Sequence, residues 1–290
     1  MNHISLRALA KINLGLDVVS KRADGYHDVC MIMQTVNLYD RLYIEKTQEP
    51  GIHITSNLSY LPVNENNLIY KAGMLLMEEF QIEEGVNVRL DKRIPVAAGM
   101  AGGSTDAAAM LYGMNKLFCL RLSMQELMER GVKIGADVPY CLMRGTALAE
   151  GIGEKLTPLP PMMKVPVLIA KPSISVSTKF VYSNLKLDDN TIHPDMQKCV
   201  EDITNKDLEG LCRDMGNVLE SVTVPAYPII HEIKQFLLEH GAKGSLMSGS
   251  GPTVFGLYED EETAKSAYLA MKKSGLCKQV YLTSIYNNYK

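Results

Sequence analysis

No disulfide framework can be read in this chain. Its six cysteines, at positions 30, 119, 141, 199, 212 and 277, include no CxxC pair and no regular spacing. Reduced thiols in a cytosolic core are therefore expected. Metal motifs are missing too: His231-Glu232 has no second histidine one turn later, and HExxH occurs nowhere. No apolar run approaches the ~20 residues that a membrane helix needs. Lys11, Asn13 and Asp17 interrupt any apolar stretch of the signal-peptide kind, so a cytoplasmic protein with no membrane partner is expected. There is no basic excess either, with 30 Lys and Arg against 33 Asp and Glu, which argues against a nucleic-acid partner. GxSxG, GxxxxGK[ST] and GxGxxG are all absent. That removes the hydrolase nucleophile elbow, the Walker A loop and the dinucleotide fingerprint.

What is present has an ordinary globular balance: 290 residues, 46% hydrophobic and 22% charged. That length suits one large domain or two smaller ones. From Leu6 to Val18 every second residue is apolar, the period of a strand. Lys11 and Asn13 share its other face, about 6.6 Å apart; taken alone, that face is either solvated or part of a site. Asp24-Gly25 marks a turn before a second strand over 29–46. Asn66 or Asn67 caps a helix through Ile69, Ala72 and Leu76. A strand over 86–90 leads to a glycine-rich loop, and Ser123 to Glu126 form a capping box. The proline-rich stretch 157–166 divides the chain into 1–160 and 161–290. Beyond it, a strand at 167–170, helices at 195–204 and 207–221, a helix opened by Pro228, strands at 253–258 and 279–286, and an intervening helix complete an α+β pattern.

The loop PVAAGMAGGSTDAAA at 95–109 carries the clearest chemistry. Gly99, Gly102 and Gly103 let backbone amides turn inward. Ser104, Thr105 and Asp106 stand where a helix begins, and a helix N-terminus attracts anions. Phosphate binding and simple close packing both remain open on this loop alone.

Three segments together narrow the choice. AKINLGLDV at 10–18, the loop at 95–109 and SLMSGSGPTVFGLY at 245–258 resemble the three motifs of the galactokinase, homoserine, mevalonate and phosphomevalonate (GHMP) kinase superfamily, in the same order. KRADGYHD at 21–28 and GADVPYCLMRGTALAEGIGE at 135–154 resemble its branch in non-mevalonate isoprenoid precursor synthesis. The acceptor in that branch is the 2-hydroxyl of a methylerythritol carrying a cytidine diphosphate group. The resemblance implies a two-domain GHMP kinase fold. Its ATP-binding N-terminal domain is ribosomal protein S5 domain 2-like, its C-terminal domain is ferredoxin-like, and the active site lies between them.

It also implies ATP and Mg²⁺ as cofactors and a role for each residue. Asp137 is the general base, and Lys11 stabilises charge beside it. Pro95, Val96, Ala97, Ala98, Gly99, Met100, Ala101, Gly102, Gly103, Ser104 and Thr105 hold the ATP phosphates, with Ser104 also available to Mg²⁺. Asn67 and Lys92 lie near the adenosine. Tyr26, His27 and Tyr182 take the cytosine, with Thr178 and Asn13 as hydrogen-bonding partners. Gly249 and Gly251 let the second glycine-rich segment close over the site. Without the resemblance, Asp137 reads as a turn or cap aspartate before Pro139, Tyr182 as a helix-surface tyrosine, and the glycines at 249 and 251 as packing. Ala98 and Ala101 replace glycines common in the family, and Thr105 replaces a serine, which puts the loop geometry in question. The competing expectations are a homoserine- or mevalonate-type kinase, or a silent binding protein. The silent protein should have lost Lys11 or Asp137.

Overall fold

The computed structural model describes residues 1–188 and 191–288. The chain forms two compact units and passes between them more than once, so neither is one continuous segment. The first comprises Met1–Ala10, Leu38–Val96 and Ala101–Met143, and the second Lys11–Asn37, Ala97–Met100 and Arg144–Lys290. Two long strands, β1 (His3–Lys21) and β2 (His27–Thr47), contribute to both. The turn between these strands is the expected one, with Gly25 at φ 87° and the Arg22 amide donating to the Tyr26 carbonyl at 2.8 Å.

In the first unit, β3 (Ile52–Ser56) pairs parallel with β4 (Gly85–Asp91). Strand β4 in turn pairs antiparallel with the end of β2, where Arg41 faces Asp91. Helix α1 (Leu68–Phe80) lies between β3 and β4 in the chain, and α2 (Gly102–Leu117), α3 (Met124–Val132) and α4 (Val138–Met143) follow β4. Their starts obey local chemistry. Asn67 accepts the Ile69 amide at 2.9 Å, and Ser123 and Glu126 form the capping box; such caps contribute ~1 kcal/mol each. Helix α1 packs on α2 and buries Ile69, Ala72 and Leu76 completely, while Leu42, Ile44 and Val86 are equally buried on the strands. Gly113 allows α2 to lie close on β2, because a Cβ there would stand 2.4 Å from Ile44 Cδ1.

In the second unit the start of β2 pairs with β5 (Thr146–Gly151), and β5 with β6 (Lys155–Pro158), all antiparallel. Residues 159–165, within the proline-rich stretch, form neither helix nor strand. Next come β7 (Pro166–Lys171), α5 (Thr178–Asn184), α6 (Met196–Asn205), α7 (Leu208–Asp214), α8 (Glu220–Ala226), α9 (Ile229–Glu239), β8 (Gly244–Met247), β9 (Val254–Leu257), α10 (Glu261–Ser274) and β10 (Gln279–Ser284). The last four strands form an antiparallel sheet in the order β10-β7-β9-β8. Helix α9 packs on β8 and β9, and α10 on β7 and β10. Acids open α10 and lysines close it, which matches its macrodipole.

Two local expectations need correction, and one question that the sequence left open is decided. The helix expected over 207–221 is two helices, α7 and α8. The chain leaves helical geometry at Met215 because Asn217 donates both amide hydrogens elsewhere, to the carbonyls of Met247 and Gly249, each at 2.8 Å. Helix α2 begins at Gly102 rather than at Ser104 to Asp106. The Lys11–Asn13 face of β1 is not solvated: Lys11 is 5% exposed and Asn13 fully buried. Among the described residues, no helix is long and apolar enough to cross a membrane.

Candidate active site

The glycine-rich loop leaves β4 and enters α2 through a run of left-handed backbone. Ala97, Gly99 and Ala101 have φ values of 50°, 69° and 55°. A non-glycine residue in that region costs ~1–2 kcal/mol, so the strain anticipated from the alanines falls on Ala101 and also on Ala97. Ala98 is not among the positive-φ residues and is packed away at 3% exposure. Only glycine fits at 99. A Cβ there would lie 2.1 Å from the Ser248 carbonyl oxygen, so the loop and the second glycine-rich segment touch backbone to backbone. The Gly99 carbonyl accepts from Lys11 Nζ at 3.1 Å and from Ser248 Oγ at 2.9 Å. The Lys11 amide donates to the Met100 carbonyl at 3.2 Å. Lys11 Nζ also donates to Asn13 Oδ1 at 2.7 Å. These contacts bring Lys11, Asn13, Gly99 and Ser248 into one cluster.

Helix α2 opens at Ala101 with no side-chain cap. Its first intrahelical bond runs from the Thr105 amide to the Ala101 carbonyl at 2.8 Å. The amides of Gly102, Gly103 and Ser104 therefore have no helical acceptor. With the dipole of a 16-residue helix behind them, they form an anion-binding end.

Lys92 and Asn67, expected near the adenosine, have local duties. Lys92 Nζ reaches Asp40 Oδ2 at 2.5 Å and Asp106 Oδ2 at 2.6 Å in a buried cluster. Burial pulls the lysine toward neutrality, but the two carboxylates outweigh it and hold the ammonium above its usual pKa. Burial and then the Asp40 charge, against the Lys92 attraction, push the Asp106 acid well above the ordinary carboxylate range. Removing one partner from such a buried cluster typically costs ~3–5 kcal/mol. Asn67 is the α1 cap, and its Nδ2 donates to the Pro62 carbonyl at 2.7 Å. Sequence reasoning missed Asp40, whose signal is one of register: with Arg41 facing Asp91, Asp40 comes beside Lys92.

Asp137 sits in the turn before α4, and its carbonyl accepts the Cys141 amide at 3.0 Å. That is a cap position for the backbone. Its half-buried carboxylate nevertheless has no hydrogen-bond or ion-pair partner among the described residues. A turn or cap aspartate would spend those oxygens on nearby amides, so the carboxylate is left available.

In the second unit, Tyr26, His27, Thr178 and Tyr182 line one cavity of about 420 Å³, together with Lys21 and Lys179. Asn13 does not line it. The His27 and Tyr182 rings stand 5.0 Å apart at 39°, and Tyr26 is 61% exposed. Burial first, and the neighbouring Lys21 charge second, lower the His27 pKa below the usual value, so its imidazole is neutral at pH 7. Thr178 Oγ1 lies 2.9 Å from Ser250 Oγ, which joins this wall to the second glycine-rich segment. Arg22 is engaged with Asp24 and Asp28, whereas the Lys21 and Lys179 ammonium groups have no carboxylate partner among the described residues. The sequence reading missed both lysines, because only the fold sets 179 against 21.

Comparison with known proteins places the chain in a family. The profile of the GHMP kinases N terminal domain matches residues 67–145, and that of the GHMP kinases C terminal domain matches residues 199–276. A protein of Lachnospira eligens named 4-diphosphocytidyl-2-C-methyl-D-erythritol kinase is 56% identical over 286 residues, covering 99% of each chain. A protein of the same name from Lachnoclostridium phytofermentans is 56% identical over 288 residues, again covering 99% of each. The crystal structure of a 4-(cytidine 5'-diphospho)-2C-methyl-D-erythritol kinase superposes with a TM-score of 0.85 at 32% identity, covering 98% of this chain and all of that one. With both domain profiles matched and full-length relatives at this identity, the chain belongs to the GHMP kinase family and has its two-domain α+β fold.

Proposed function

We propose that this kinase transfers the γ-phosphoryl group of ATP to the 2-hydroxyl of 4-diphosphocytidyl-2-C-methyl-D-erythritol, a step of isoprenoid precursor synthesis. The observation that carries the acceptor assignment is the cavity in which three rings meet two unpaired ammonium groups. A pyrimidine joined to a diphosphate has matching chemistry. Tyr26 offers an open ring face for stacking, and a neutral His27 supplies one donor and one acceptor to a base edge. Lys21 and Lys179 attract the diphosphate. Hydrogen bonding to the base supplies the discrimination that stacking lacks.

Transfer of a phosphoryl group depends mainly on positioning and charge stabilisation. Gly99 to Thr105 are assigned to the ATP phosphates, through the free amides at the start of α2. No group of three or more His, Cys, Asp or Glu side chains among the described residues could cage a metal. That suits a magnesium ion carried in largely by phosphate and water. The Ser104 hydroxyl would be its protein ligand, and the ion would neutralise phosphate charge. Asp137, with its carboxylate uncommitted, takes the proton of the acceptor hydroxyl, a contribution of ~10²–10⁴ in rate. Lys11 offsets the negative charge that grows on the transferred group. Its own hydrogen bonds to Asn13 and Gly99 fix its position. Asn13 therefore acts by orienting Lys11 rather than by reading the base.

The test is ADP release from ATP with this cytidyl acceptor, beside homoserine and mevalonate. Turnover confined to the cytidyl acceptor supports the assignment. Turnover with homoserine or mevalonate instead would remove the nucleobase cavity from the account while leaving the kinase chemistry.

A further inference from the structure

Both flanks of the phosphate loop meet at a single buried ammonium. On the entry side, Asp40 Oδ1 accepts the Arg93 amide at 2.5 Å and the Ile94 amide at 2.8 Å, immediately before Pro95. The backbone of Lys92 is held on both sides by Asn57, whose Oδ1 accepts its amide at 2.7 Å and whose Nδ2 donates to its carbonyl at 3.1 Å. On the exit side, Asp106 lies in the first turns of α2, and its Oδ2 takes Lys92 Nζ at 2.6 Å. Gly102, the first residue of α2, rests on the same lysine: a Cβ there would stand 3.0 Å from Lys92 Nζ and 3.2 Å from Ile94 Cγ2.

We propose that Asp106, acting through Lys92 and with Asp40, is a positioning residue for the ATP phosphates, fixing where the loop leaves β4 and where it enters α2. The proposal rests on the reading of the loop as the phosphate site. Three features favour positioning over simple stabilisation. A structural ion pair needs one carboxylate per ammonium, yet here two converge on one. The second carboxylate is poorly served as a structural partner, since Asp106 Oδ1 is buried with no hydrogen-bond partner. It nevertheless stands two residues beyond Ser104, the last of the free amides assigned to phosphate. In a site of low dielectric these short contacts are strong, so the start of α2 and the end of β4 cannot drift apart without breaking one.

The cluster also controls charge beside the loop. Removing Lys92 would leave two buried acids side by side, one of them two residues beyond the amides assigned to phosphate. With Lys92 in place, and with Asp106 inclined to hold a proton because of its burial and its neighbour Asp40, the cluster stays close to neutral. The charged or titratable groups known to face Asp106 are Asp40 on β2 and Lys92 after β4.

Asp106→Ala and Asp106→Asn should be compared with the full-length protein by steady-state kinetics and thermal melting. Because misplacement by about an ångström can cost ~10²-fold, Asp106→Ala should raise KM for ATP by ~10-fold or more. KM for the cytidyl acceptor should change less than about twofold. Asp106→Asn keeps an acceptor for Lys92 without the charge, and should recover most of that loss. If Asp106→Ala fails to fold, Asp106→Ser makes the same test, since its hydroxyl is too short to keep the 2.6 Å contact with Lys92 Nζ. Variants that melt earlier but keep KM for ATP within about twofold would overturn the proposal and leave a structural cluster. Wild-type protein that binds no ATP would instead overturn the phosphate-loop reading beneath it.

Discussion

Lys11 Nζ lies 3.1 Å from the carbonyl oxygen of Gly99, so the cation assigned to the transferred phosphoryl group is held by the loop assigned to the ATP phosphates. Both depend on the closeness of Gly99 to Ser248, because the same carbonyl accepts Ser248 Oγ. A change at this point should therefore affect nucleotide use before it affects the fold as a whole.

Gly99→Ala tests that link. Its Cβ would meet the Ser248 carbonyl oxygen at 2.1 Å, and backbone cannot rotate away as a flexible side chain can. We expect KM for ATP to rise at least ~10-fold, since a displaced loop misplaces the phosphates. Gly275→Ala is the control: Gly275 also has positive φ, 75°, but nothing stands within 4 Å of the added carbon. It should cost only ~1 kcal/mol of stability and leave KM for ATP unchanged. Equal kinetic effects from the two substitutions would dissociate the loop from nucleotide binding.

Lys11→Met should lower kcat by ~10²-fold or more, as expected for a charge that matters most in the transition state. It should also cost some stability, ~1–3 kcal/mol, because the buried acceptor on Asn13 loses its donor. A variant with normal kcat and a lowered melting temperature would make Lys11 a structural residue.

The His27 shift predicts an acid limb. Its pKa lies below the usual histidine value of ~6.5 because burial, and then Lys21, disfavour the imidazolium. The ring is neutral at pH 7 and gains a proton only as the pH falls through that lowered pKa. Protonation removes its acceptor, so KM for the cytidyl acceptor should rise on acidification while KM for ATP does not. His27→Gln should abolish this limb, and a limb that persists in the variant belongs to another group.

How much of this was legible in the sequence depends on the distance between partners. Alternation from Leu6 to Val18 located β1, and Ser123 with Glu126 located α3, because both signals lie within one element. The glycine-rich loop stood out by its own residues, whereas Asp137 alone reads as a turn or cap aspartate and is singled out only by the family resemblance. The Lys92 cluster was not, since its partners stand 52 and 14 residues away, and only strand register brings Asp40 to it. Asn217 was hidden inside an apparent helix; its side chain serves the carbonyls of Met247 and Gly249, some thirty residues on. The alternation also could not reveal that Lys11 and Asn13 are buried, because the groups that meet Lys11 are the distant Gly99 and Met100.

Asn217→Ala should accordingly act on the second glycine-rich segment. Two buried carbonyls would lose their donor, at a cost of ~1–3 kcal/mol each where no water replaces it. We expect a lower melting temperature together with a raised KM for ATP, as Ser248 and Gly249 shift against Gly99. Normal KM with lowered stability would confine Asn217 to the fold.

The most direct test is single-turnover transfer from ATP to 4-diphosphocytidyl-2-C-methyl-D-erythritol by wild-type protein and Asp137→Asn, with ATP binding measured on both. The account predicts transfer by the wild type, ATP affinity unchanged within about twofold in the variant, and a transfer rate lower by ~10²–10⁴-fold. A variant that transfers at the wild-type rate, or a wild type that binds ATP and leaves this acceptor untouched, would contradict it.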